Sequence, residues 1–174
     1  MSRVEATGWP FLSSGKNRHF FSVSTSERFR SGSGMTGDAG ELIQAIINLV
    51  TNAAQAIAEK LGTITVEVAV AIGERLPHEP GRSSGTAICL SVSDTGCGMD
   101  QATVARLFEP FFTTKPVGEG TGLGLSVVHG IVTQHGGSIR VDSRVDEGTR
   151  FDVYLPALAA AASPTAEQTA SPAL

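Results

Sequence analysis

Asp94, which ends an apolar run and begins a glycine turn, is the side chain whose setting most clearly suggests binding chemistry. Residues 95–99 read TGCGM, and Gly96 and Gly98 would let a flat ligand approach the backbone. Asp94 could accept a hydrogen bond from the exocyclic amine of adenine, with Met99 packed on the ring. The alternative is an ordinary Asp-Gly turn in which the carboxylate bonds only its own backbone.

Two carboxamides, Asn48 and Asn52, lie four residues apart in a helical pattern that also includes Gln44 and Gln55. One interpretation is a solvated polar face. The other is a ligand site, because asparagine is a mediocre helix former and small alanines flank the pair. Carboxamide oxygens are suitable ligands for Mg²⁺, and side chains at i and i+4 are neighbours on a helix. The spacing therefore favours a metal-bound triphosphate held against this helix.

The segment Gly120–Leu125 is a glycine-rich start to an apolar helix. Unpaired N–H groups and the helix dipole converge at such a start, which favours an anion. It is not a P-loop, because the GxxxxGK[ST] pattern is absent. The preceding loop, Phe108–Glu119, has aromatic residues at one end, glycines near the other and Lys115 as its only cation. Such a loop predicts a mobile lid.

The composition fits one globular domain. The chain has 174 residues, 41% of them hydrophobic, and a formal net charge of -4. That charge gives no electrostatic argument for nucleic acid or an anionic membrane, and no apolar run approaches the roughly 18 residues that span a bilayer. Cys89 and Cys97 lack metal-type spacing, which fits a reducing compartment. We therefore expect a cytoplasmic location, no nucleic-acid partner and no membrane segment in this chain.

The polar pair requires a helix to position it, and the spacing predicts one over Asp38–Leu61. Asp38 is expected to cap this helix, Glu41 to complete a capping box, and Gly62 to end it. The expected buried stripe recurs every three or four residues. It consists of Ile43, Ile46, Ile47, Val50, Ala54 and Ile57.

Alternating and apolar patterns predict the remaining elements. Strands are expected at Thr63–Ile72, Thr86–Asp94, Ser138–Asp142 and Thr149–Leu155, and helices at Gln101–Leu107 and Gly122–His135. We expect a long hairpin loop over residues 73–85. Residues 1–37 are expected to be a poorly ordered lead-in with a possible edge strand at His19–Thr25, and residues 157–174 a disordered tail rich in Ala, Pro and Ser.

The order of these motifs resembles the ATP-binding domain shared by sensor histidine kinases, DNA gyrase, the ninety-kilodalton heat-shock chaperones and the mismatch-repair ATPases. Within that superfamily the chain is most similar to histidine kinases of the nitrogen-regulatory and PAS-linked kind. The resemblance covers residues 38–156. It rests on an N box, a first glycine box, an F box, a second glycine box and a closing glycine-Thr motif. These are Gln44–Ala56, Asp94–Gly98, Leu107–Phe112, Gly120–Leu125 and Gly148–Thr149.

The resemblance implies an α+β fold. It is a two-layer α/β sandwich of the Bergerat type, with a mixed sheet of about five strands, three helices on one face and a mobile ATP lid. It also implies Mg-ATP as the ligand. Asn52 would coordinate Mg²⁺ and Asn48 would lie by the phosphates. Asp94, Gly96, Gly98, Met99 and Thr149 would form the adenine pocket, and Gly120, Thr121, Gly122, Leu123, Gly124 and Leu125 would wrap the phosphates.

Two departures from the family pattern bear on the reaction. Gyrase, the chaperones and the anti-sigma serine kinases have a glutamate base where this sequence has Asn48, and an amide cannot deprotonate water or a serine. A histidine acceptor does not need that base. Many histidine kinases have Lys and an aromatic residue at the positions of Gln55 and Ala56, so Lys115 is a candidate to supply the missing charge and to act in catalysis.

The resemblance implies transfer of the ATP γ-phosphoryl group to a histidine. None of the four histidines, His19, His78, His129 and His135, lies where the family's acceptor does. We therefore expect a histidine supplied in trans or by a missing upstream domain. The expected partners are a dimerisation/histidine-phosphotransfer domain and a response regulator. The alternatives are a non-catalytic nucleotide-binding regulatory module and an anti-sigma-type serine kinase, the latter disfavoured by Asn48.

Overall fold

A computed structural model describes residues 19–25, 37–58, 61–72, 86–116 and 120–157, the first of these ranges by its backbone alone. The predicted hairpin loop, the tail beyond Ala157, most of the lead-in and the last part of the lid loop lie outside the described residues.

The described part of the chain contains one mixed sheet of five strands. They are β1 (His19–Thr25), β2 (Gly62–Ile72), β3 (Thr86–Asp94), β4 (Ser138–Arg144) and β5 (Gly148–Pro156). The spatial order is β1-β2-β3-β5-β4; β1 runs parallel to β2, and the other pairs are antiparallel. The predicted mixed sheet is thus confirmed, and β1 forms an edge over the range where the sequence allowed a strand.

Three helices, α1 (Ala39–Ile57), α2 (Gln101–Arg106) and α3 (Gly124–Gln134), complete the described fold. Leu49 of α1 and Val128 of α3 are fully buried in one core with inward-facing residues of the sheet such as Val92, while Leu107 adds the end of α2. The second layer therefore covers one face of the sheet, as predicted. Among the described residues, no helix is long and apolar enough to cross a membrane.

The buried side of α1 differs from the predicted stripe. Ile43 and Ile47 are 56% and 51% exposed. The buried residues instead recur every four positions and are Ala45, Leu49, Ala53 and Ile57. The prediction is confirmed for Ile57, and the predicted Ile46, Val50 and Ala54 pack partly buried against the core. It was wrong for Ile43 and Ile47, because α1 is apolar on more than one side and the pattern alone does not say which side faces the sheet. Small alanines on the buried side allow a close approach to the strands.

The start of α1 is capped by Asp38, whose Oδ1 accepts hydrogen bonds from the N–H groups of Gly40 (2.7 Å) and Glu41 (3.1 Å). The predicted capping box is wrong, however. The Asp38 N–H donates to Nε2 of His135 at 3.1 Å, while the Glu41 carboxylate accepts from the side chain of Gln134. A histidine from the end of α3 therefore takes the role expected of Glu41, and it joins the two helices.

The predicted end of α1 is also wrong. The helix ends at Ile57, and Ala58 adopts a backbone conformation with φ 53°. Gly62 is the first residue of β2, where an added Cβ would lie 2.6 Å from Cγ2 of Ile57. The glycine is therefore needed for close packing of the strand against the helix, and not to terminate the helix.

Candidate functional site

Asp94 lies at the end of β3 and is only 9% exposed. Its Oδ1 accepts a hydrogen bond from the N–H of Gly96 at 2.7 Å. Burial raises the pKa of Asp94, although hydrogen bonds from the backbone of Gly96 and Thr149 partly oppose that shift. The turn geometry of the ordinary alternative is therefore present. It does not use the full accepting capacity of a carboxylate, which has about four lone-pair sites.

The glycine turn after Asp94 is held between α1 and the β4–β5 turn. An added Cβ on Gly96 would lie 2.6 Å from the carbonyl carbon of Ala56, and the Cys97 N–H donates to the Ala56 carbonyl at 3.0 Å. Gly98 has φ +62°, and its Cβ would lie 1.8 Å from the Arg144 carbonyl oxygen. Both glycines are required by close backbone approach, so no side chain obstructs this end of the site.

Ser143 of β4 links several of the predicted residues and was not identified from the sequence. Its Oγ accepts from the N–H of Met99 at 2.9 Å, donates to the Gly148 carbonyl at 3.1 Å and lies 2.8 Å from Oγ1 of Thr149. Thr149 is the register partner of Asp94 on β5.

Ser143 could have been found in the sequence from the alternation of inward-facing and outward-facing residues along β4. This strand was predicted to end at Asp142, whereas its core-facing series Ile139 and Val141 continues to Ser143. Extending the alternation by two residues would have placed the hydroxyl on the inner face.

The carboxamides of α1 face the start of α3. The Gln44 side chain donates to Oδ1 of Asn48 at 3.0 Å, and Nδ2 of Asn48 donates to the Gly124 carbonyl at 3.2 Å. Nδ2 of Asn52 lies 3.8 Å from the position that a Cβ on Gly124 would occupy. The structure thus brings Asn48, Asn52 and Gly124 together, which a solvated polar face does not require.

Asn52 is half-buried, and its carboxamide is close enough to the start of α3 to reach a ligand bound there. The described ranges contain no cluster of three or more His, Cys, Asp or Glu side chains able to hold a metal ion. The donor set is therefore insufficient for a metal site made of protein alone. It does fit Mg²⁺ that arrives with phosphate oxygens, because that ion commonly uses one or two protein ligands together with phosphates and water.

The residues at the two ends of the lid loop lie next to each other. The Phe111 N–H donates to the Gly122 carbonyl at 2.9 Å. Gly122 has φ +65°, and an added Cβ would lie 2.4 Å from the Phe111 carbonyl carbon. Within the loop, the Lys115 ammonium donates to the Gln55 side chain on α1. Lys115 therefore reaches the helix position where many histidine kinases have their own lysine.

The glycine-rich segment precedes α3, whose N-cap residue Leu123 provides no side-chain hydrogen bond to the helix. Thr121 Oγ1 accepts from the Leu123 N–H at 3.3 Å. The first N–H groups of a helix, here those of Gly124 and Leu125, have no acceptor within it. They lie beside the carboxamides of α1, so α1 and α3 present donors suited to an anion at the same place.

His129 of α3 and His135, which follows the last residue of that helix, both make contacts that stabilise the fold. The ring of Phe108 lies 5.0 Å from that of His129, and the Arg106 guanidinium lies 4.4 Å from the Phe112 ring. The His135 side chain is 5% exposed and bonds the backbone at both ring nitrogens. These contacts anchor the aromatic segment and the two helices.

A cavity of about 250 Å³ lies where the ends of β3, β4 and β5 meet, and Asp94, Ser143 and Thr149 are among the residues that line it. Both arginines that line it form ion pairs: Arg144 lies 3.4 Å from Glu147, and Arg150 lies 2.8 Å from Asp152 and 3.1 Å from Glu67. The carboxamides and the glycine-rich segment do not line it. The candidate site therefore extends from Asp94, where the cavity lies, to the start of α3, where the carboxamides of α1 lie.

Comparison with known proteins agrees with the resemblance that the sequence motifs indicate. Residues 37–159 match the family model described as histidine kinase-, DNA gyrase B- and HSP90-like ATPase. The chain is 43% identical over 124 residues to the sensor kinase CckA of Brucella abortus, and 42% identical over 119 residues to the sensor histidine kinase ZraS of Escherichia coli O157:H7. These alignments cover 70% and 68% of this chain, but 13% and 22% of the relatives. The curated relatives are thus far longer than the region of similarity.

Solved structures show the same fold. A mycobacterial sensor histidine kinase, MprB, matches with a TM-score of 0.59 and 28% identity, over 80% of this chain and 82% of that one. The catalytic domain of histidine kinase ThkA matches with a TM-score of 0.54 and 31% identity, covering 70% and 71%. Full-length ShkA in complex with AMPPNP matches with a TM-score of 0.61 and 26% identity, covering 84% of this chain and 27% of that one.

The burial of Asp94 gives a prediction about stability without ligand. Because its pKa is raised on folding, its contribution to stability is full below the unfolded value near 3.8 and is lost as the pH rises through the folded value. Asp94→Asn, which keeps an oxygen for the Gly96 N–H, should therefore be as stable as the parent or more stable at about pH 7. This advantage should diminish towards about pH 4, as measured by urea unfolding.

Asp100→Asn is the matched control, since the pKa of exposed Asp100 is lowered by its hydrogen bonds to Thr103. Removing that ionisation should change the pH dependence in the opposite direction. A constant loss of stability in Asp94→Asn at every pH would contradict the prediction.

Proposed function

The chain belongs to the histidine kinase-, DNA gyrase B- and HSP90-like ATPase family and has the ATP-binding catalytic domain of sensor histidine kinases; from this premise we propose that it transfers the γ-phosphoryl group of Mg-ATP to a protein histidine. The observation that carries the proposal is the position of α1. Its Ala56 end supports the glycine turn after Asp94, and its Asn48–Asn52 segment meets the start of α3. One helix therefore supports both ends of the site.

The proposed orientation places adenine at Asp94 and the phosphates at the start of α3. The distance along α1 from Asn48 to Ala56, eight positions further on, is roughly 12 Å, which suits an extended nucleoside triphosphate. Gly96, Gly98, Met99 and Thr149 would surround the base, and the segment Gly120–Leu125 would wrap the phosphates through its N–H groups. The lid would cover the nucleotide and exclude water.

Asn52 would hold Mg²⁺ together with the phosphate oxygens. When bound, the ion would neutralise charge that develops on the phosphates. Lys115 would add a positive charge from the lid, a role supported by its contact with Gln55 on the same helix as Asn52. Asn48 would position the start of α3 through the Gly124 carbonyl.

The proposed acceptor is the imidazole of a histidine on a dimerisation/histidine-phosphotransfer domain. Its nitrogen would form a bond to the γ-phosphorus while the bond to the bridging oxygen breaks and ADP leaves. No general base is required, because a neutral imidazole already has a lone pair. Asn48 bonds Gln44 and Gly124, and as an amide it offers water or a serine no base. This supports histidine transfer over the serine-kinase alternative.

A response regulator would then take the phosphoryl group. The curated relatives are sensor kinases by name, and we propose the same kind of partner for this chain. We also propose a cytoplasmic location, because the cytoplasm supplies ATP and keeps thiols such as Cys89 and Cys97 reduced.

Asp94→Asn should weaken ATP binding. The substitution replaces a charge-assisted hydrogen bond, worth about 1.5–3 kcal/mol, with that of a neutral amide. The expected loss of affinity is roughly 10- to 150-fold, measured by calorimetry on folded protein. Asp100→Asn, outside the site, should bind like the parent. Unchanged affinity in a folded Asp94→Asn variant would remove Asp94 from the adenine pocket.

Asn52→Ala should abolish the gain in nucleotide affinity on adding Mg²⁺ while leaving the fold intact. Alanine is the better helix former, so thermal stability should not fall because of the helix. The measurement is the ratio of ATP affinities with Mg²⁺ and with a chelator. Thr51→Ala, on the exposed side of α1, should keep the parental ratio. An equal ratio in Asn52→Ala would show that the metal ligand is elsewhere.

The purified chain should bind ATP without accumulating phosphohistidine, and transfer should begin when a separate dimerisation domain is added. The nucleophile must lie about 3–3.5 Å from phosphorus and in line with the leaving oxygen. Labelled ATP tests this, since acid-labile, base-stable label indicates phosphohistidine. Base-labile label would indicate a serine kinase, and binding without label in any mixture a regulatory module. Stable phosphohistidine on the chain alone would contradict the need for an added acceptor.

A further inference from the structure

The Ser143 hydroxyl lies at the junction of three segments that reach the Asp94 end of the site. It contacts the N–H of Met99, the carbonyl of Gly148 and the hydroxyl of Thr149, at 2.9, 3.1 and 2.8 Å. Ser143 is half-buried and extends the inward-facing series of β4. It does not belong to any of the motifs identified in the sequence.

A count of protons favours one direction for these contacts, of which the one between Ser143 and Thr149 has two possible donors. A hydroxyl has one proton and two lone pairs. The Met99 N–H can only donate, so it takes one lone pair of Ser143, and the Gly148 carbonyl can only accept. All three contacts become hydrogen bonds only if Ser143 donates to Gly148 and Thr149 donates to Ser143. The Thr149 proton then points towards Ser143, and the lone pairs of Thr149 are left for the site.

Thr149 and Asp94 are neighbours across the β3–β5 ladder, and the Thr149 backbone is hydrogen-bonded to the Asp94 carboxylate. With its proton turned to Ser143, the Thr149 hydroxyl is an acceptor beside a second acceptor. Two adjacent acceptors favour a ligand group that carries two N–H bonds. The adenine amine is such a group, whereas guanine has a carbonyl oxygen at the corresponding ring position, and that oxygen would face two acceptors.

We propose that Ser143 is a positioning residue for nucleotide specificity, which orients the Thr149 hydroxyl as an acceptor and so favours adenine over guanine. This inference rests on the proposed function, because it assumes that the base binds at Asp94. Ser143 itself acts only through Thr149 and Met99. A merely structural role would change stability, or the affinities for both bases equally. A positioning role changes their ratio.

The test compares ATP and GTP affinities of the parent, Ser143→Ala and Ser143→Thr by calorimetry. Ser143→Ala frees the Thr149 proton to point into the site, so ATP binding should weaken roughly three- to tenfold. GTP binding should weaken less or improve, and the ATP-to-GTP affinity ratio should fall. Ser143→Thr restores the hydroxyl and should restore the ratio. Ser138→Ala, on the same strand but facing away from the core, should leave both affinities unchanged.

Thr149→Val provides an independent check. It should lower the same ratio, and the double variant with Ser143→Ala should show little further loss, since both changes remove one arrangement. If Ser143→Ala does not fold, Ser143→Cys keeps the shape of the side chain, although sulfur is larger than oxygen, and replaces the hydroxyl with a weak donor. This variant must also lower the ratio. An unchanged ratio in folded Ser143→Ala or Ser143→Cys, in a parent that binds ATP, would overturn this inference alone. A parent that binds neither nucleotide would overturn both this inference and the proposed function.

Discussion

The backbone contacts around Asp94 are the constraint on which the rest of the site depends. An added Cβ on Gly148 would lie 2.0 Å from the Asp94 carbonyl oxygen, and one on Gly98 would lie 1.8 Å from the Arg144 carbonyl oxygen. Only glycine permits such approach, and both residues have positive φ. These contacts bring the ends of β3, β4 and β5 together with the glycine turn. Asp94 is consequently buried, and Ser143 can reach the turn.

Burial of Asp94 has opposite effects on stability and on recognition. The low-polarity setting raises the pKa of its carboxyl group and makes the ionised form unfavourable in the ligand-free fold. The same setting strengthens a hydrogen bond from a ligand amine, because water does not compete for the oxygen. Asp100, by contrast, is exposed and caps α2 through Thr103. The two aspartates, close together in the sequence, thus differ in burial and in the direction in which the fold shifts their pKa values.

The sequence was sufficient for features determined by nearby residues. The strand β3 was located over Thr86–Asp94, and Asp38 was recognised as a helix cap because the groups it bonds lie within three residues. Features that depend on distant partners were not predictable. The Asp38 N–H bonds His135, 97 positions away, and Ser143 contacts Met99, 44 positions away. The sequence also did not predict which side of α1 is buried, because that side is determined by the distant strands against which the helix packs.

The contact between the two ends of the lid loop affects how the length and sequence of this loop can change in evolution. The hydrogen bond from Phe111 to Gly122 closes the chain at the base of the loop, so the intervening segment begins and finishes at one fixed place. The free energy of closing a loop changes only slowly with its length. The segment between these two positions can therefore be exchanged, lengthened or shortened while the region around Asp94 keeps its geometry. The loop proposed to cover the phosphates can thus change in evolution separately from the surface proposed to bind the base.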